Sequence, residues 1–250
     1  MKINRVIDYY NRSYYKAAKG KETARKTINS FKSAIDHEKR LNFYKSFKHI
    51  ALNLLSGPFY WPTSWPTSLD PESGELVYSI VRLLKPKIAV EIGTFKGYAA
   101  ICVGQALEDN NKGKLYTIDP VEMEIVKIAI RKSGLKNRIE YVVDYSENVI
   151  SKLNLKEIDF AMIDGDHSYE SVKKDFELIK DLISKGGTVV FHDTIWFEGP
   201  KKVVEEIKKT GEYEVITFPT RVGTDKNGKV CLSKKEEGFK SVGITVCYKL

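Results

Sequence analysis

Short apolar runs alternate with helical patterns along most of this chain, and this alternation constrains the fold more than any other feature. From residue 70 onward, runs of strand length are separated by stretches whose apolar residues recur at helical intervals. The predicted strands are residues 88–92, 114–118, 139–143, 158–163 and 188–191. The predicted helices are residues 74–84, 98–107, 122–133, 148–153 and 169–183, with another after Pro200. Because parallel strands need crossover helices, we expect a parallel α/β sheet with helices on both faces.

The last part of the chain follows a different pattern. Residues 213–218 and 242–249 both have the composition of strands, and only a polar stretch containing residues 225–228 lies between them. Two strands joined without a crossover helix are expected to be antiparallel. The sequence therefore predicts a doubly wound α/β sheet of seven strands, mostly parallel, with an antiparallel last strand.

The N-terminal part of the chain is expected to form a separate segment. Residues 1–68 are predicted to be a basic helical arm that ends in an aromatic, proline-rich loop, and residues 69–250 a single catalytic domain. Residues 1–50 hold 13 Lys plus Arg against 4 Asp plus Glu, whereas the remaining 200 residues hold 28 against 29. The arm could attract an anionic partner such as nucleic acid, or it could be a solvated helix face.

The cysteines and the hydropathy of the chain indicate where in the cell the protein is expected. Cys102, Cys231 and Cys247 form no Cys-x-x-Cys pair for zinc or redox chemistry, and each is predicted to be a small core residue. The first residues lack the apolar stretch of a signal peptide, and nowhere do about 18 apolar residues run together. We therefore expect a cytoplasmic protein without a membrane span, and we leave a homo-oligomer open.

The first predicted strand leads into a glycine turn, Glu91-Ile-Gly-Thr-Phe-Lys-Gly97. Open α/β sheets bind ligands beyond the carboxyl ends of their strands, where glycines let the backbone approach and the next helix offers free N–H groups. Counted from Gly93, the third and sixth positions are Phe95 and Tyr98, so the Gly-x-Gly-x-x-Gly dinucleotide fingerprint is missing. Such a turn is weak evidence for a ligand when taken alone.

Polar residues also follow the second and third predicted strands. Asp119 is placed to accept hydrogen bonds from both hydroxyls of a ribose, although it could equally cap a helix. Asp144, Tyr145 and Ser146 are placed to contact an adenine, with helix capping again the alternative. Together the three strand ends favour an adenosine-type ligand.

These motifs carry a resemblance to a known family. Residues 87–98, Asp119 and residues 163–169 together resemble the class I S-adenosylmethionine-dependent methyltransferases, which have a Rossmann-like fold. Within that class they are similar to small-molecule O-methyltransferases, including the catechol and caffeoyl-CoA types and the antibiotic-tailoring branch with an Asp-Gly-x-His motif. The resemblance covers about residues 70–250 and leaves out the N-terminal arm.

The resemblance implies a set of cofactor-binding residues at the strand ends. They are Glu91, Gly93, Thr94, Gly97, Asp119, Asp144, Tyr145, Ser146 and Asp164. The glycine turn would hold the methionine part of the cofactor and Glu91 would help to orient its amino group. Asp119 would bind the ribose, and Asp144 with Tyr145 or Ser146 would flank the adenine.

The ends of the fourth and fifth strands carry the expected chemistry. Carboxylates from adjacent strand ends can hold Mg²⁺ or another divalent cation, and residues matching Asp164 and Asp193 do so in the metal-dependent relatives. His192 and Thr194 depart from the pattern of some relatives, so the metal is an open question. As an alternative to the cation, or in addition to it, His167 could act as the base that removes the acceptor's proton before in-line methyl transfer.

Aromatic residues are candidates for a lid over an aromatic or sugar acceptor. They are Phe59, Tyr60, Trp61 and Trp65 in the proline-rich loop, and Trp196 and Phe197 after the fifth strand. The alternative for the first group is that it only joins the arm to the domain.

The leading hypothesis is methylation of a hydroxyl on a small-molecule acceptor, with His167 or a divalent cation assisting deprotonation. An RNA methyltransferase that uses the basic arm is the second hypothesis. Against it, the chain reads Asp-Gly-Asp-His where amino-group methylases of nucleic acid usually have an Asn/Asp-Pro-Pro-aromatic motif. A non-catalytic binding protein of the same fold is the third.

Overall fold

The computed structural model describes residues 69–220, 222–224, 230–231 and 238–250. The expected basic arm and the aromatic loop at residues 59–65 lie outside the described residues. Pro66–Leu250 forms a compact unit of its own, and the description below concerns that unit.

Within the described residues, six helices and seven long strands follow one another in the order that the sequence predicts. The helices are α1 (Pro71–Leu84), α2 (Tyr98–Asp109), α3 (Glu124–Ser133), α4 (Ser146–Leu153), α5 (Tyr169–Ile179) and α6 (Glu198–Thr210). The first six strands are β1 (Ile88–Ile92), β2 (Lys114–Asp119), β3 (Ile139–Val143), β4 (Ile158–Ile163), β5 (Ile183–His192) and β6 (Tyr213–Phe218). The remaining strands are β7 (Gly223–Thr224), β8 (Val230–Cys231), β9 (Lys240–Ser241) and β10 (Ile244–Lys249).

The main sheet has seven strands in the order β3-β2-β1-β4-β5-β10-β6. The strands from β3 to β5 are parallel to one another, and β10 is antiparallel to both β5 and β6. This confirms the predicted mostly parallel sheet with an antiparallel last strand. The stretch predicted only as polar also contains a small sheet of order β8-β7-β9, which the sequence pattern does not reveal.

The largest difference from prediction lies between α5 and β5. The helix predicted to reach residue 183 ends at Ile179, and β5 begins at Ile183, five residues before the predicted strand. Ile183 is buried and pairs with Ile158 of β4, with a register irregularity after that pair. An apolar residue at this position fits helical spacing and strand pairing equally well, so periodicity alone could not separate the two elements.

The helices cover both faces of the sheet. On one face α2 packs against α1 and α3, and on the other α5 packs against α4 and α6. The central strands are buried on both sides, and Ala89, Val90 and Ala161 have no exposed surface. Strands of this kind are mostly apolar, as a parallel sheet covered on both faces requires, and Glu91 of β1 is a buried exception.

Two smaller expectations concern cysteines and membranes. Cys102 and Cys247 are buried free thiols, as predicted, whereas the side chain of Cys231 is outside the described set. Within the described ranges, no helix is long and apolar enough to cross a lipid bilayer.

Candidate active site

A cleft of about 910 Å³ opens at the carboxyl ends of β1 to β5. The chain leaves β1 toward β2 on one side and β4 toward β5 on the other, so β1 and β4 are the neighbours at which the winding reverses. Doubly wound sheets bind ligands at this switch point, because the loops diverge there and leave a crevice. The cleft is therefore the natural place for a ligand in this fold.

The glycine turn forms the floor of the cleft at the switch point. Gly93 has φ of 97°, and a Cβ there would lie 2.3 Å from the carbonyl oxygen of Asp164. Only glycine fits this conformation and this close approach of the β1 and β4 ends. Gly97 is the N-cap of α2 and makes no side-chain cap hydrogen bond, so the first N–H groups of this helix face the cleft region with no capping side chain.

Glu91 lies beneath the turn and does not line the cleft. Its side chain is fully buried, and it accepts a hydrogen bond from Thr117 through Oε2. Thr94, which does line the cleft, lies 2.6 Å from Thr117, oxygen to oxygen. Burial raises the pKa of Glu91 to about 8, although the Thr117 hydrogen bond acts in the opposite direction. Glu91 is thus connected to the cleft by the hydrogen bonds of the Thr117 and Thr94 hydroxyls.

Asp119 at the end of β2 lines the cleft and is held rigidly. One carboxylate oxygen accepts from the backbone N–H of Phe95 at 2.8 Å, and the other accepts from Val121 at 2.8 Å. Each oxygen keeps a further lone pair for a ligand. These two bonds tie the carboxylate to the glycine turn and to the loop after β2.

The three residues that follow β3 do not all line the cleft. Tyr145 and Ser146 line the cleft, whereas Asp144 does not. The Asp144 carboxylate accepts from the Tyr145 N–H at 2.8 Å and from the Asn148 side chain at 2.8 Å. These bonds are local but do not cap α4, whose N-cap is Tyr145 and which has no side-chain cap hydrogen bond.

A cluster of histidines and carboxylates forms the opposite end of the cleft. His167 Nε2 lies 2.9 Å from Asp193 Oδ2, although the ring N–H is not aligned for a hydrogen bond. His192 Nδ1 lies 3.2 Å from Asp164 Oδ1 and 3.5 Å from Asp193 Oδ2. Its Nε2 lies 3.7 Å from a carboxylate oxygen of Asp70. Two histidines are thus held among three carboxylates.

Electrostatics within this cluster favour charged histidines. Burial opposes a charge on His192, but Asp164 and Asp193 outweigh it and raise the pKa of this imidazole well above its usual value. Burial likewise opposes a charge on His167, but Asp193 raises its pKa overall. Burial would raise the pKa of Asp193, yet the two histidines hold it well below its usual range.

Aromatic rings fix the position of His167. The Phe197 ring stacks on the imidazole at 4.3 Å between centroids with an interplanar angle of 13°, and Trp196 lies 5.2 Å from Phe197. Both aromatic residues line the cleft, as the lid hypothesis expected for this pair. Gly199 of α6 permits the approach, since a Cβ there would lie 2.2 Å from the His167 carbonyl oxygen.

Comparison with known proteins finds methyltransferases among the matches. A family model described as a methyltransferase domain matches residues 90–194, which include the glycine turn, Asp119 and the histidine cluster. Residues 90–194 are therefore similar to a methyltransferase domain. This confirms the resemblance inferred from the motifs.

Relatives of this methyltransferase domain include two plant enzymes. The flavonoid 3',5'-methyltransferase of Vitis vinifera is 27% identical over 155 residues, 59% of this chain and 63% of that protein. The caffeoyl-CoA O-methyltransferase of Stellaria longipes is 24% identical over 132 residues, 51% of this chain and 54% of that protein. The chain therefore spans less than two thirds of either relative.

A solved structure shares the fold of the domain. The O-methyltransferase from Bacillus cereus, solved in complex with SAH, matches with a TM-score of 0.62 at 16% identity. The match covers 82% of this chain and 90% of that one. At this identity the likeness concerns the fold.

Two buried aspartates of the cleft are not among the residues that the motifs indicate. Asp70 precedes α1, caps it through Ser73 and faces His192, and its only sequence signal is an aspartate before Pro71. Asp175 lies within α5 and accepts from Ser146 at 2.6 Å. A single aspartate in an amphipathic helix gives no sequence signal for a cleft position.

Proposed function

We propose that this protein transfers the methyl group of S-adenosylmethionine to a hydroxyl of a small-molecule acceptor. One observation carries the proposal: a single continuous cleft joins the glycine turn and Asp119 to the cluster of Asp164, His167 and Asp193. The first part suits a nucleoside with an amino-acid tail, and the second suits deprotonation of an acceptor. The two parts lie at neighbouring strand ends, β1–β2 and β4–β5, as a transfer between two ligands requires.

In the proposed complex, the turn at Gly93 and Thr94 and the start of α2 hold the methionine part of the cofactor. The carboxylate of Asp119 accepts hydrogen bonds from the ribose hydroxyls, using the lone pairs left by Phe95 and Val121. The sulfonium then faces Asp164, whose backbone abuts Gly93. This arrangement directs the methyl group toward the histidine cluster.

His167 is proposed as the residue that takes the acceptor's proton. Its Nε2 faces Asp193, which stabilises the imidazolium that forms, and Nδ1 is the nitrogen that accepts the proton. The acceptor oxygen attacks the methyl carbon in line, the carbon–sulfur bond breaks, and its electron pair stays on the sulfur as a neutral thioether. The stacked Phe197 ring keeps the imidazole in place during this step.

The same cluster has the ligand set for a divalent cation. Ligand atoms of Asp164, His167 and Asp193 lie within 4.8 Å of one another. Atoms that share an ion at about 2.1 Å lie within about 4.2 Å of each other, so the set fits with small side-chain adjustments. A bound cation would supply a Lewis acid that lowers the pKa of the acceptor hydroxyl. If His167 binds the cation through Nε2, Asp164 and Asp193 complete the protein ligands.

Calorimetry with S-adenosylhomocysteine tests the cofactor assignment. We expect one-site binding by the full chain and a loss of at least about 10-fold in affinity in Asp119→Ala, since a charged acceptor of two hydroxyls is removed. Asp181→Ala is the control, because Asp181 is exposed and lies away from the cleft. No binding by the unmodified protein would overturn the proposal.

Chelation distinguishes the two routes of deprotonation. Methyl transfer to a panel of phenolic and sugar hydroxyls is measured after treatment with EDTA and after return of Mg²⁺ or Mn²⁺. Activity that survives EDTA and is lost in His167→Ala supports the histidine as base. Activity lost with EDTA and restored by the ion, with calorimetric ion binding that Asp164→Asn abolishes, supports the cation.

A further inference from the structure

An acidic residue lies buried at the end of the cleft that adjoins β3. Asp175 projects from α5 and Ser146 from the first turn of α4, and both line the cleft. Only 9% of the Asp175 surface is exposed, and its second oxygen, Oδ2, lies beside Gly165 of the cleft wall. Ser146 follows β3, the strand beyond β2 and Asp119, so this pair lies toward the far end of a ligand that the glycine turn and Asp119 hold.

We propose that Asp175, together with Ser146, recognises the 6-amino group of the cofactor's adenine and rejects a 6-oxo purine. This inference rests on the proposed function, because it specifies which base the same cleft accepts. Asp175 is a specificity-determining residue in this proposal and takes no part in methyl transfer.

The direction of one hydrogen bond supports the assignment. The Ser146 hydroxyl donates to Asp175 Oδ1 at 2.6 Å, so its single hydrogen is committed. Toward a ligand, Ser146 therefore offers only lone pairs, and the Asp175 carboxylate offers only acceptors. Two adjacent acceptors match the two N–H donors of an exocyclic amino group, whereas a carbonyl oxygen at the same position would face them unpaired.

Other acidic residues near this end are less suited to the task. Asp144 does not line the cleft and is occupied by the Tyr145 N–H and by Asn148. The Glu147 side chain is 39% exposed and pairs with Lys174 at 2.7 Å. Water can donate hydrogen bonds to an exposed carboxylate when the ligand offers none. Asp175 is the more buried acceptor, so a mismatched base there costs the most affinity.

Binding of two cofactor products that differ only at the purine 6-position tests the inference. Calorimetry compares S-adenosylhomocysteine with S-inosylhomocysteine, in which a 6-oxo group replaces the 6-amino group. For the unmodified full chain, we expect the adenine compound to bind about 10- to 100-fold more tightly, as expected when a buried acceptor loses its donor.

Two variants separate recognition from folding. Asp175→Asn is expected to bring this ratio near or below one, because a carboxamide can donate to the 6-oxo group, and Ser146→Ala to reduce it less. Asp181→Asn is the exposed control and should keep the ratio. Equal affinities for the two compounds in the unmodified chain, or an unchanged ratio in a folded Asp175→Asn protein, would overturn the inference. Failure of the unmodified chain to bind either compound would instead overturn the proposed function.

Discussion

The buried carboxyl group of Glu91 accepts a hydrogen bond from the hydroxyl of Thr117 beneath the glycine turn. The other carboxyl oxygen, Oε1, has no hydrogen-bond partner among the described residues. Besides burial, the negative charges of Asp164 and Asp119 raise the pKa of Glu91. An acid in this setting is held neutral at pH values where an exposed glutamate is ionised, because burial disfavours its charge.

The Glu91 environment predicts a stability that depends on pH. The folded pKa is about 8 against an ordinary value of 4.5, so the folded state binds the proton more tightly than the unfolded state. Stability from this group is greatest below pH 4.5 and decreases as the pH rises toward about 8, by up to about 4 kcal/mol. Glu91→Gln should remove this decrease and be more stable than the unmodified protein near pH 8.

Urea unfolding across this pH range measures the effect. Glu205→Gln, on the exposed surface of α6, is the control and should follow the unmodified protein. The same pH slope in Glu91→Gln and in the unmodified protein would contradict the prediction.

Two glycines with positive φ distinguish backbone strain from close packing. Gly93→Ala is expected to weaken S-adenosylhomocysteine binding by at least about 30-fold, because the new Cβ would lie 2.3 Å from the Asp164 carbonyl and displace the turn. Gly134 has φ of 75° but nothing within 4 Å of a Cβ, so Gly134→Ala should cost about 1 kcal/mol in stability and leave binding unchanged. Similar binding by the two variants would show that the turn does not contact the ligand.

The charge of Asp193 is expected to be essential for turnover. The backbone conformation of its loop should not depend on that charge. The Asp193 φ of 58° is one that asparagine also adopts, so Asp193→Asn should fold normally. Loss of the charge beside His167 and His192 should reduce kcat by about 100-fold or more, as expected for removal of a group that stabilises a catalytic imidazolium. The thermal unfolding midpoint and steady-state methyl transfer are the measurements.

Glu198→Gln is the matched control for Asp193→Asn, since its side chain is 77% exposed at the start of α6. Its kcat should remain within about 2-fold of the unmodified protein. Turnover by Asp193→Asn at the level of this control would remove Asp193 from the proposed mechanism.

The end of α1 offers a stabilising substitution outside the cleft. Lys85 is its C-cap with φ of 50° and ψ of 53°, a left-handed conformation that glycine adopts without strain. Lys85→Gly should raise the free energy of unfolding by about 1 kcal/mol. Lys180 caps α5 with φ of −53°, so Lys180→Gly should lower it by about the same amount. Equal effects of the two substitutions in urea unfolding would contradict this account.

The order and direction of the elements could be predicted because each depends on a local pattern. Four of the seven main-sheet strands begin and end where the apolar runs do: β1, β3, β4 and β6. The antiparallel β10 was predicted from the missing crossover helix. The small sheet of β7 to β9 could not be found in this way, since pairs of two-residue strands have no detectable periodicity.

The candidate site was predicted less completely. Gly93, Asp119, Asp164, His167 and Asp193 come together in the cleft because the parallel topology carries every strand end to one edge of the sheet. The order of residues along the chain does not specify where their side chains point. Their roles in binding and catalysis remain predictions for the experiments above.

The sequence by itself determined the alternation of strands and helices, the reversal of the last strand and the set of polar strand ends, because period and spacing are local properties. Only the tertiary structure decided that Glu91 faces the interior, that the Asp144 carboxylate is engaged by Asn148 and that Asp70 and Asp175 line the cleft. The reason is physical: burial and hydrogen-bond partners such as Thr117, Asn148, His192 and Ser146 are set by contacts between distant segments. Those contacts exist only once the helices have packed onto the sheet.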